Sequence, residues 1–562
     1  MSPTPPATAR PAAPARVFRI LAADKLAPEG LEWIRQQPDA ELVNRPGLKE
    51  EEYADLVAQC DAMIVRSGIK VTRKMLANPG RLQVIARAGV GVDNIDLEAA
   101  TEKGILVVNT AEASTITTAE HAFTLMCALA RNVGPASRTM HEGGWDRNKF
   151  EGTQLAGKTL GVVGFGRIGQ TLAKRALAFE MEVVAYDPFI NAQTMLDGRV
   201  RMFTSFEDLL PHCDILSFHV PLNDQTKGMM NLRTFAKARR GVMVINASRG
   251  GVVDEAELIP AIDQGLCGGA ALDVFTEEPP AKDSPLRRHP RVLVTPHLGA
   301  STREAQLAVS TDAGVAVLQY LRGEGIRGAV NAGGVRVDLD PLQKAFVGLA
   351  SRMAALVSPM VTRGIASVTL TLESKLLAAA TGTIERHVLV ELLRSHIDAP
   401  INVISVGRIA EERGIRTRTV MIEDGDASGT PSTPQLTIEI AGPSGAVDAT
   451  THEQDRTRRI VGRVYQDGLP RIIEVNGYHM DMVPAGHMVL IQNEDRPGMI
   501  GLVGTEFGQA QVNIADMAIS RRGQTALMML KIDDQAPREL IERLAHRPGI
   551  LKIAEVRLPV IA

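Results

Sequence analysis

The sequence is short of the features that mark several protein classes. Its four cysteines, Cys60, Cys127, Cys213 and Cys267, stand far apart with no CxxC pair. Such spacing supports neither a zinc site nor a disulfide framework, and three of the four sit in apolar company, where a thiol acts as a small buried hydrophobe. A reducing, cytoplasmic compartment is expected. Neither charge sign dominates, since 62 Lys and Arg face 65 Asp and Glu. That balance gives no reason to expect nucleic acid or an anionic membrane as a partner. No apolar run approaches the roughly 18 residues of a membrane span. The first stretch, MSPTPPATARPAAPAR, lacks the apolar core of a signal peptide and reads as a disordered tail over residues 1–16.

What is present begins with length. A chain of 562 residues exceeds a single core, so three or four domains are expected. The most informative stretch is Lys158 to Pro188, KTLGVVGFGRIGQTLAKRALAFEMEVVAYDP. It reads as an apolar strand, a glycine turn (Gly164, Gly166, Gly169), an amphipathic helix and a second strand closing on Asp187, 18 residues after Gly169. This is a dinucleotide fingerprint in its proper context: glycines for the turn, the pyrophosphate approach and the helix packing, then an acid for the ribose. The helix N-terminus favours the pyrophosphate charge, and Asp187 would repel a 2′-phosphate, so NAD is expected over NADP.

Before the fingerprint, VFRILAAD, AMIVRS, QVIARAG and ILVVN read as strands between charged helical stretches, an open α/β sheet. Two strand ends carry arginine, at Arg66-Ser67-Gly68 and at Arg87, and the backbone amides of Ser67 and Gly68 beside a guanidinium would cradle a carboxylate or phosphate. His121, on the long helical pattern from Thr117, reads as a packed or hinge residue rather than a catalyst, with a threonine capping the helix start. After Asp187, polar residues gather just past successive strand ends: His219, Asn246, Ser248, Arg249, Asp273, Glu278 and His297. A helix from HLGASTREAQ to about Gly323 is long enough to return to the first domain, which would then be discontinuous. Asp424 to Pro434, DGDASGTPSTP, reads as a polar loop tip. The tail from Gly486 reads β-α-β-β-α-β, a ferredoxin-like module.

The chemistry these residues allow is alcohol oxidation. Histidine suits the removal of a hydroxyl proton, and a carboxylate partner fixes its tautomer and stabilises the imidazolium. His297 and Glu278, on consecutive strand-end loops, could meet across a crevice, while Arg249 could clamp a carboxylate and polarise a 2-oxo group.

GVVGFGRIG, HVPL, INASRGGVVDE, ALDVFTEEPP and TPHLGAST resemble the motifs of the D-isomer-specific 2-hydroxyacid dehydrogenases, and RAGVGVDNID with VVNT resembles their substrate domain. NEDRPGMIGLVGTEFGQAQVNIADM resembles an ACT domain, and the segment before it resembles the extra domain of the family's long form. The resemblance implies catalytic roles for Arg249, Glu278 and His297. It implies cofactor contacts along Gly164, Gly166, Arg167, Ile168, Gly169, Asp187, His219, Val220, Pro221, Thr226, Ala247, Ser248, Asp273 and Gly299. Arg66, Ser67, Gly68 and Arg87 would bind substrate, and Asn493, Asp495 and Asn513 would take an effector, L-serine.

The implied reaction is NAD-dependent oxidation of D-3-phosphoglycerate to 3-phosphohydroxypyruvate, the first step towards serine. Another D-2-hydroxy acid (glycerate, lactate, 2-hydroxyglutarate) is the nearest alternative substrate, and a non-catalytic NAD-sensing scaffold is a further one. A homo-oligomer is expected, with a tetramer as its form. The family's NTPxGN loop is NTAEAST here, Asn109 to Thr115. The expected architecture is a Rossmann NAD domain (116–300) inserted in a discontinuous flavodoxin-like substrate domain (17–115 and 301–331). An α+β intervening domain (332–482) and a ferredoxin-like ACT domain (483–562) follow.

Overall fold

The computed structural model describes residues 16–190, 192–336, 339–361, 364–394, 397, 401–422, 433–443, 457–465 and 467–559. The expected tail, apart from Arg16, and most of the Asp424–Pro434 loop lie outside the described residues.

The first sheet is all parallel, in the order Ala40–Asn44, Phe18–Ala22, Ala62–Val65, Val84–Arg87, Leu106–Asn109. Its inner strands are apolar runs such as AMIV, because a parallel sheet covered on both faces has no solvent side to mark with polar residues. One cover is the helix Arg303–Leu321, whose Val309, Ala313, Ala316, Val317 and Leu318 join Ile20, Ile64, Val84 and Leu106 in one core. Burying each Val, Leu or Ile side chain among them stabilises by roughly 1.5–3 kcal/mol, so this returning helix is integral to the first unit. Asn331 completes it. The Asn331 side chain accepts the Val107 N–H at 2.8 Å and donates to the Ile105 carbonyl at 2.9 Å.

The second sheet has eight strands, ordered Val292–Val294, Cys267–Leu272, Val242–Asn246, Ile215–Phe218, Thr159–Val163, Glu182–Tyr186, Val200–Phe203, Thr194–Met195. All pairs are parallel except the last. Chain order reverses between Thr159–Val163 and Ile215–Phe218, which leaves a crevice beyond their carboxyl ends, the usual ligand position in such sheets. The helix Thr115–Ala130 packs into this core and begins two residues before the expected threonine cap. Ser114 is its N-cap, without a side-chain cap bond, and the Thr115 hydroxyl donates to the Ala111 carbonyl at 3.1 Å.

A six-stranded mixed sheet follows, Arg416–Ile422, Ser367–Glu373, Gln435–Ala441, Thr457–Val464, Pro470–Val475, Tyr478–Met482, backed by the helices Pro341–Val357 and Thr381–Arg394. The last unit is an antiparallel sheet ordered Ile514–Arg522, Thr525–Ile532, His487–Glu494, Ile550–Arg557. Its helices Met499–Gln509 and Arg538–Ala545 cover one face, whereas Met488, Leu490, Leu527 and Met529 on the other join the core of the preceding unit. The expected fold class therefore holds: two doubly wound units, an α+β unit and a ferredoxin-like one. Among the described residues, no helix is long and apolar enough to cross a membrane.

Candidate active site

The crevice is built from two sides. On the first sheet's side, Arg66 follows the strand Ala62–Val65 and Arg87 ends the adjacent parallel strand, and the Nε atoms of both are buried without a hydrogen-bond partner among the described residues. Burial, and after it the like charges of Arg249 and Arg66, pull the Arg87 pKa down from 12.5 to about 10. Three guanidinium groups thus lie near one another, two of them with an unspent Nε donor, an arrangement that favours an anion carrying more than one negative charge.

The loops bearing them are tied down by residues that the sequence did not single out. Asp24 accepts the N–H groups of Arg66 and Gly68, each at 3.0 Å. The Gly68 amide is therefore already engaged, and the loop offers a ligand its guanidinium. Asn94 donates to the carbonyls of Arg66 and Ile69 at 2.6 and 2.5 Å. Asn109 and Thr110, opening NTAEAST, hold the Arg87 loop: Asn109 donates to the Val90 carbonyl at 2.7 Å, and the Thr110 hydroxyl accepts the Gly89 N–H at 2.8 Å. Glu112, further along the same loop, pairs with Arg167 of the fingerprint turn at 2.7 Å.

On the second sheet's side, Arg249 follows the strand Val242–Asn246. Its Nε donates to the Asp93 carboxylate at 2.9 Å, which joins the two halves, and Nη1 donates to the Ser248 carbonyl at 2.6 Å. A Cβ on Gly91 would lie 1.8 Å from Arg249 Nη2, so this guanidinium rests against bare backbone and would have to move aside for a larger residue there.

His297 and Glu278 meet as expected. His297 Nδ1 lies 2.7 Å from Glu278 Oε2, and the other carboxylate oxygen, Oε1, accepts the Phe275 N–H at 3.1 Å. With a carboxylate on Nδ1, that nitrogen carries the hydrogen and Nε2 keeps its lone pair. His297 sits at φ 55° in a loop held by Asp273, which is wholly buried. Asp273 Oδ1 accepts the Thr295 hydroxyl at 2.6 Å and the Leu298 N–H at 2.8 Å, and Oδ2 accepts the Gly299 N–H at 2.8 Å. Burial works to raise the Asp273 pKa, but donors from His121, Thr295 and Leu298 outweigh it and hold the carboxyl below its usual range.

The cofactor cradle follows the fingerprint. Gly164 has φ 90°, and a Cβ on Gly169 would stand 2.2 Å from the Gly164 carbonyl oxygen, so the turn closes only with glycine. Beside Gly166, a Cβ would have no neighbour within 4 Å among the described residues, leaving the helix Arg167–Ala178 open at its N-terminus. Asp187 accepts the Phe165 N–H at 2.8 Å and the Phe189 N–H at 3.0 Å, which keeps its remaining lone pairs beside the turn. Ile168 packs into the core below, Ala247 is nearly buried, and the Ser248 hydroxyl donates to Asn246 at 2.9 Å. Beyond the strand Ile215–Phe218, His219 contacts Ser217 at 2.9 Å and burial pushes its pKa down to about 4, so it stays neutral. The Thr226 hydroxyl fixes the following loop by donating to the Pro221 carbonyl at 2.6 Å. An NAD fits these groups.

In the last unit, Asn493 is buried and donates to the Glu494 carbonyl at 2.6 Å, while its Oδ1 has no partner among the described residues. Asp495 pairs with Arg521 at 3.3 Å, and Asn513 donates to Asp533 at 2.7 Å.

Residues 123–299 match the profile of the D-isomer specific 2-hydroxyacid dehydrogenase NAD binding domain. Residues 343–476 match the D-3-phosphoglycerate dehydrogenase intervening domain, and 487–548 match the ACT domain. D-3-phosphoglycerate dehydrogenase of Bacillus subtilis (strain 168) is 36% identical, over 97% of this chain and 100% of its own length. The chain belongs to the D-3-phosphoglycerate dehydrogenase family. A second member, from Archaeoglobus fulgidus, is 37% identical over 96% of this chain and 100% of its own. Among solved structures, the TT0316 protein of Thermus thermophilus has 33% identity and a TM-score of 0.51, covering 56% of this chain and 100% of that one. The NAD-dependent formate dehydrogenase of Staphylococcus aureus, in complex with NAD, has 26% identity and a TM-score of 0.51, covering 56% and 99%. Family membership and the NAD-domain match agree with the cradle described above: the cofactor is NAD.

Asp24, Asp93 and Asn94 are the members of this site that sequence reasoning missed. Asp93 lies within RAGVGVDNID and Asp24 ends VFRILAAD, so both sat in quoted motifs, but their partners are 156 and 42 residues away in sequence.

Proposed function

We propose that the chain oxidises D-3-phosphoglycerate to 3-phosphohydroxypyruvate with NAD, the entry step to serine. The observation that carries this is the convergence of Arg66, Arg87 and Arg249, with two buried unpartnered Nε groups, because a small monoanionic acid has no use for three guanidinium groups. Arg249 takes the substrate carboxylate and holds C2 over the crevice floor, while Arg66 and Arg87 take the phosphate. His297, with Nδ1–H held by Glu278, accepts the C2 hydroxyl proton at Nε2 as the carbonyl forms, and Glu278 stabilises the resulting imidazolium. NAD, when bound, would supply the acceptor for the C2 hydride. Arg249 then faces the 2-oxo group and stabilises charge on its oxygen.

Initial rates on 3-phosphoglycerate, D-glycerate, D-lactate and D-2-hydroxyglutarate test the reading. With two charge-assisted bonds contributing about 1.5–3 kcal/mol each, kcat/KM for the phosphorylated acid exceeds that for glycerate by about 100-fold or more. Equal values would refute it.

Regulation by L-serine is part of the same proposal, supported by the ACT match and by the polar set Asn493, Asp495 and Asn513. Serine titrated against activity tests it, and an unchanged rate at saturating serine leaves the module without that role. A homotetramer is the proposed assembly, tested by light scattering, and cytoplasm the proposed compartment.

A further inference from the structure

His121 stands on the helix Thr115–Ala130, outside the Arg249, Glu278 and His297 set, with 17% of its side chain exposed. Its Nε2 lies 3.1 Å from Asp273 Oδ1 and 3.3 Å from Thr295 Oγ1. From this contact we infer that His121 is a positioning residue for His297, acting through Asp273.

The argument starts from the loop that carries His297. A β-carbon residue at φ 55° sits in a sparsely populated region and persists only where its surroundings hold it there. What holds it is one carboxylate. Asp273 gathers Thr295, Leu298 and Gly299, two residues before His297 and one and two after, while the Asp273 carbonyl accepts the His297 N–H at 2.9 Å. Among the described residues, His121 is the one donor to this carboxylate that comes from another element, and so the one that anchors the loop to the helix beneath.

Proton placement follows from the partners. Asp273 is an acceptor, so His121 Nε2 carries the hydrogen; Thr295 spends its own hydroxyl hydrogen on Asp273 and offers His121 only a lone pair. One ring N–H therefore faces both groups that clasp the loop. Without it, Asp273 is a wholly buried carboxylate short of a donor, and it recovers one only by drawing on the loop it organises. The displacement this brings at His297 is of the size that matters, since a misplacement of about 1 Å costs on the order of 100-fold in rate.

The inference rests on His297 being the base, as proposed above, and its test separates the two. In the full-length protein, His121→Phe keeps the ring volume and removes the donor, and His121→Gln keeps an N–H at the same reach. Expected for His121→Phe is a fall in kcat of about 10- to 100-fold, with both KM values within about threefold of the parent and the fold retained by circular dichroism. His121→Gln restores kcat to within about threefold.

A readout independent of turnover is the rate at which diethyl pyrocarbonate modifies His297, followed by peptide mapping. It rises about threefold or more in His121→Phe as the loop loosens, and stays at the parent value in His121→Gln. A His121→Phe protein with parental kcat and parental modification rate overturns the inference, as does equal impairment of the two variants. If the parent itself fails to oxidise 3-phosphoglycerate, the functional reading falls, and the modification rates still judge His121.

Discussion

Glu278→Gln isolates the contribution of one carboxylate to the proposed base. In the parent, Oε1 accepts the Phe275 N–H at 3.1 Å and Oε2 faces His297 Nδ1 at 2.7 Å. A glutamine has one acceptor oxygen. If that oxygen stays on the Phe275 amide, the NH₂ turns to Nδ1, the imidazole hydrogen moves to Nε2, and the ring has no lone pair for the substrate hydroxyl. The charge is lost as well. Imidazolium and carboxylate centres about 4 Å apart attract by about 4 kcal/mol at an effective dielectric of 20 and by about 1 kcal/mol in water. His297 and Glu278 are 46% and 37% exposed, between those limits, so about 2 kcal/mol of imidazolium stabilisation is at stake in the open crevice. That alone is about 30-fold in kcat/KM, and the tautomer reversal adds to it. NADH formation with saturating NAD and varied 3-phosphoglycerate measures the loss. A variant within about threefold of the parent would show that Glu278 neither sets the tautomer nor stabilises the cation.

Three other perturbations follow from the same geometry. Asp187→Ala removes the acceptor of the Phe165 amide and the one proposed for the ribose hydroxyls; KM for NAD is expected to rise about tenfold and the preference over NADP to shrink, as steady-state rates with both cofactors will show. Arg87→Gln removes a cation that burial and its neighbours disfavour, so at pH below about 10, where the folded protein retains this charge at a cost, the variant melts no lower than the parent. Its KM for 3-phosphoglycerate nevertheless rises about tenfold or more, and an unchanged KM refutes the anion role. Burial depresses the His219 pKa from 6.5 to about 4, so the unfolded chain takes this proton first; stability conferred by a neutral His219 is complete above pH 6.5 and is lost as pH falls towards 4, about 3 kcal/mol in all. Thermal scans across that window show a shallower fall for His219→Gln.

Legibility in the sequence divides by distance along the chain. The fingerprint was readable because its strand, turn and helix are consecutive, and glycine spacing reports backbone needs directly. The Glu278–His297 contact was readable because both residues follow neighbouring strands of one parallel sheet, so their loops open on the same edge. The first unit's returning helix was readable from length alone.

Contacts between residues far apart in sequence left no such trace. Asp93 meets Arg249 only because two separate sheets face each other, and Asp24 reaches Arg66 through an adjacent strand of the same sheet. His121 looked like core because its helix is apolar; nothing local reveals a buried carboxylate above it. The amides of the Arg66 loop were read as free for a ligand, whereas Asp24 had already taken the Gly68 N–H.

The helix Arg303–Leu321 also fixes an order of events during synthesis. When the five strands of the first sheet leave the ribosome, Leu26, Leu31 and Ile34 already cover part of the face that holds Ile20, Ile64 and Val84, but Val309, Ala313, Ala316, Val317 and Leu318 have not yet been made. At 5–20 residues per second, the roughly 200 intervening residues take about 10–40 s, and in that time the second sheet, contiguous from Thr159 to Val294, can close unaided. The unit first in sequence is thus the second to be completed, and part of its apolar face waits uncovered meanwhile. A chain cut short before Leu321 would carry all five strands and still lack a stable first unit.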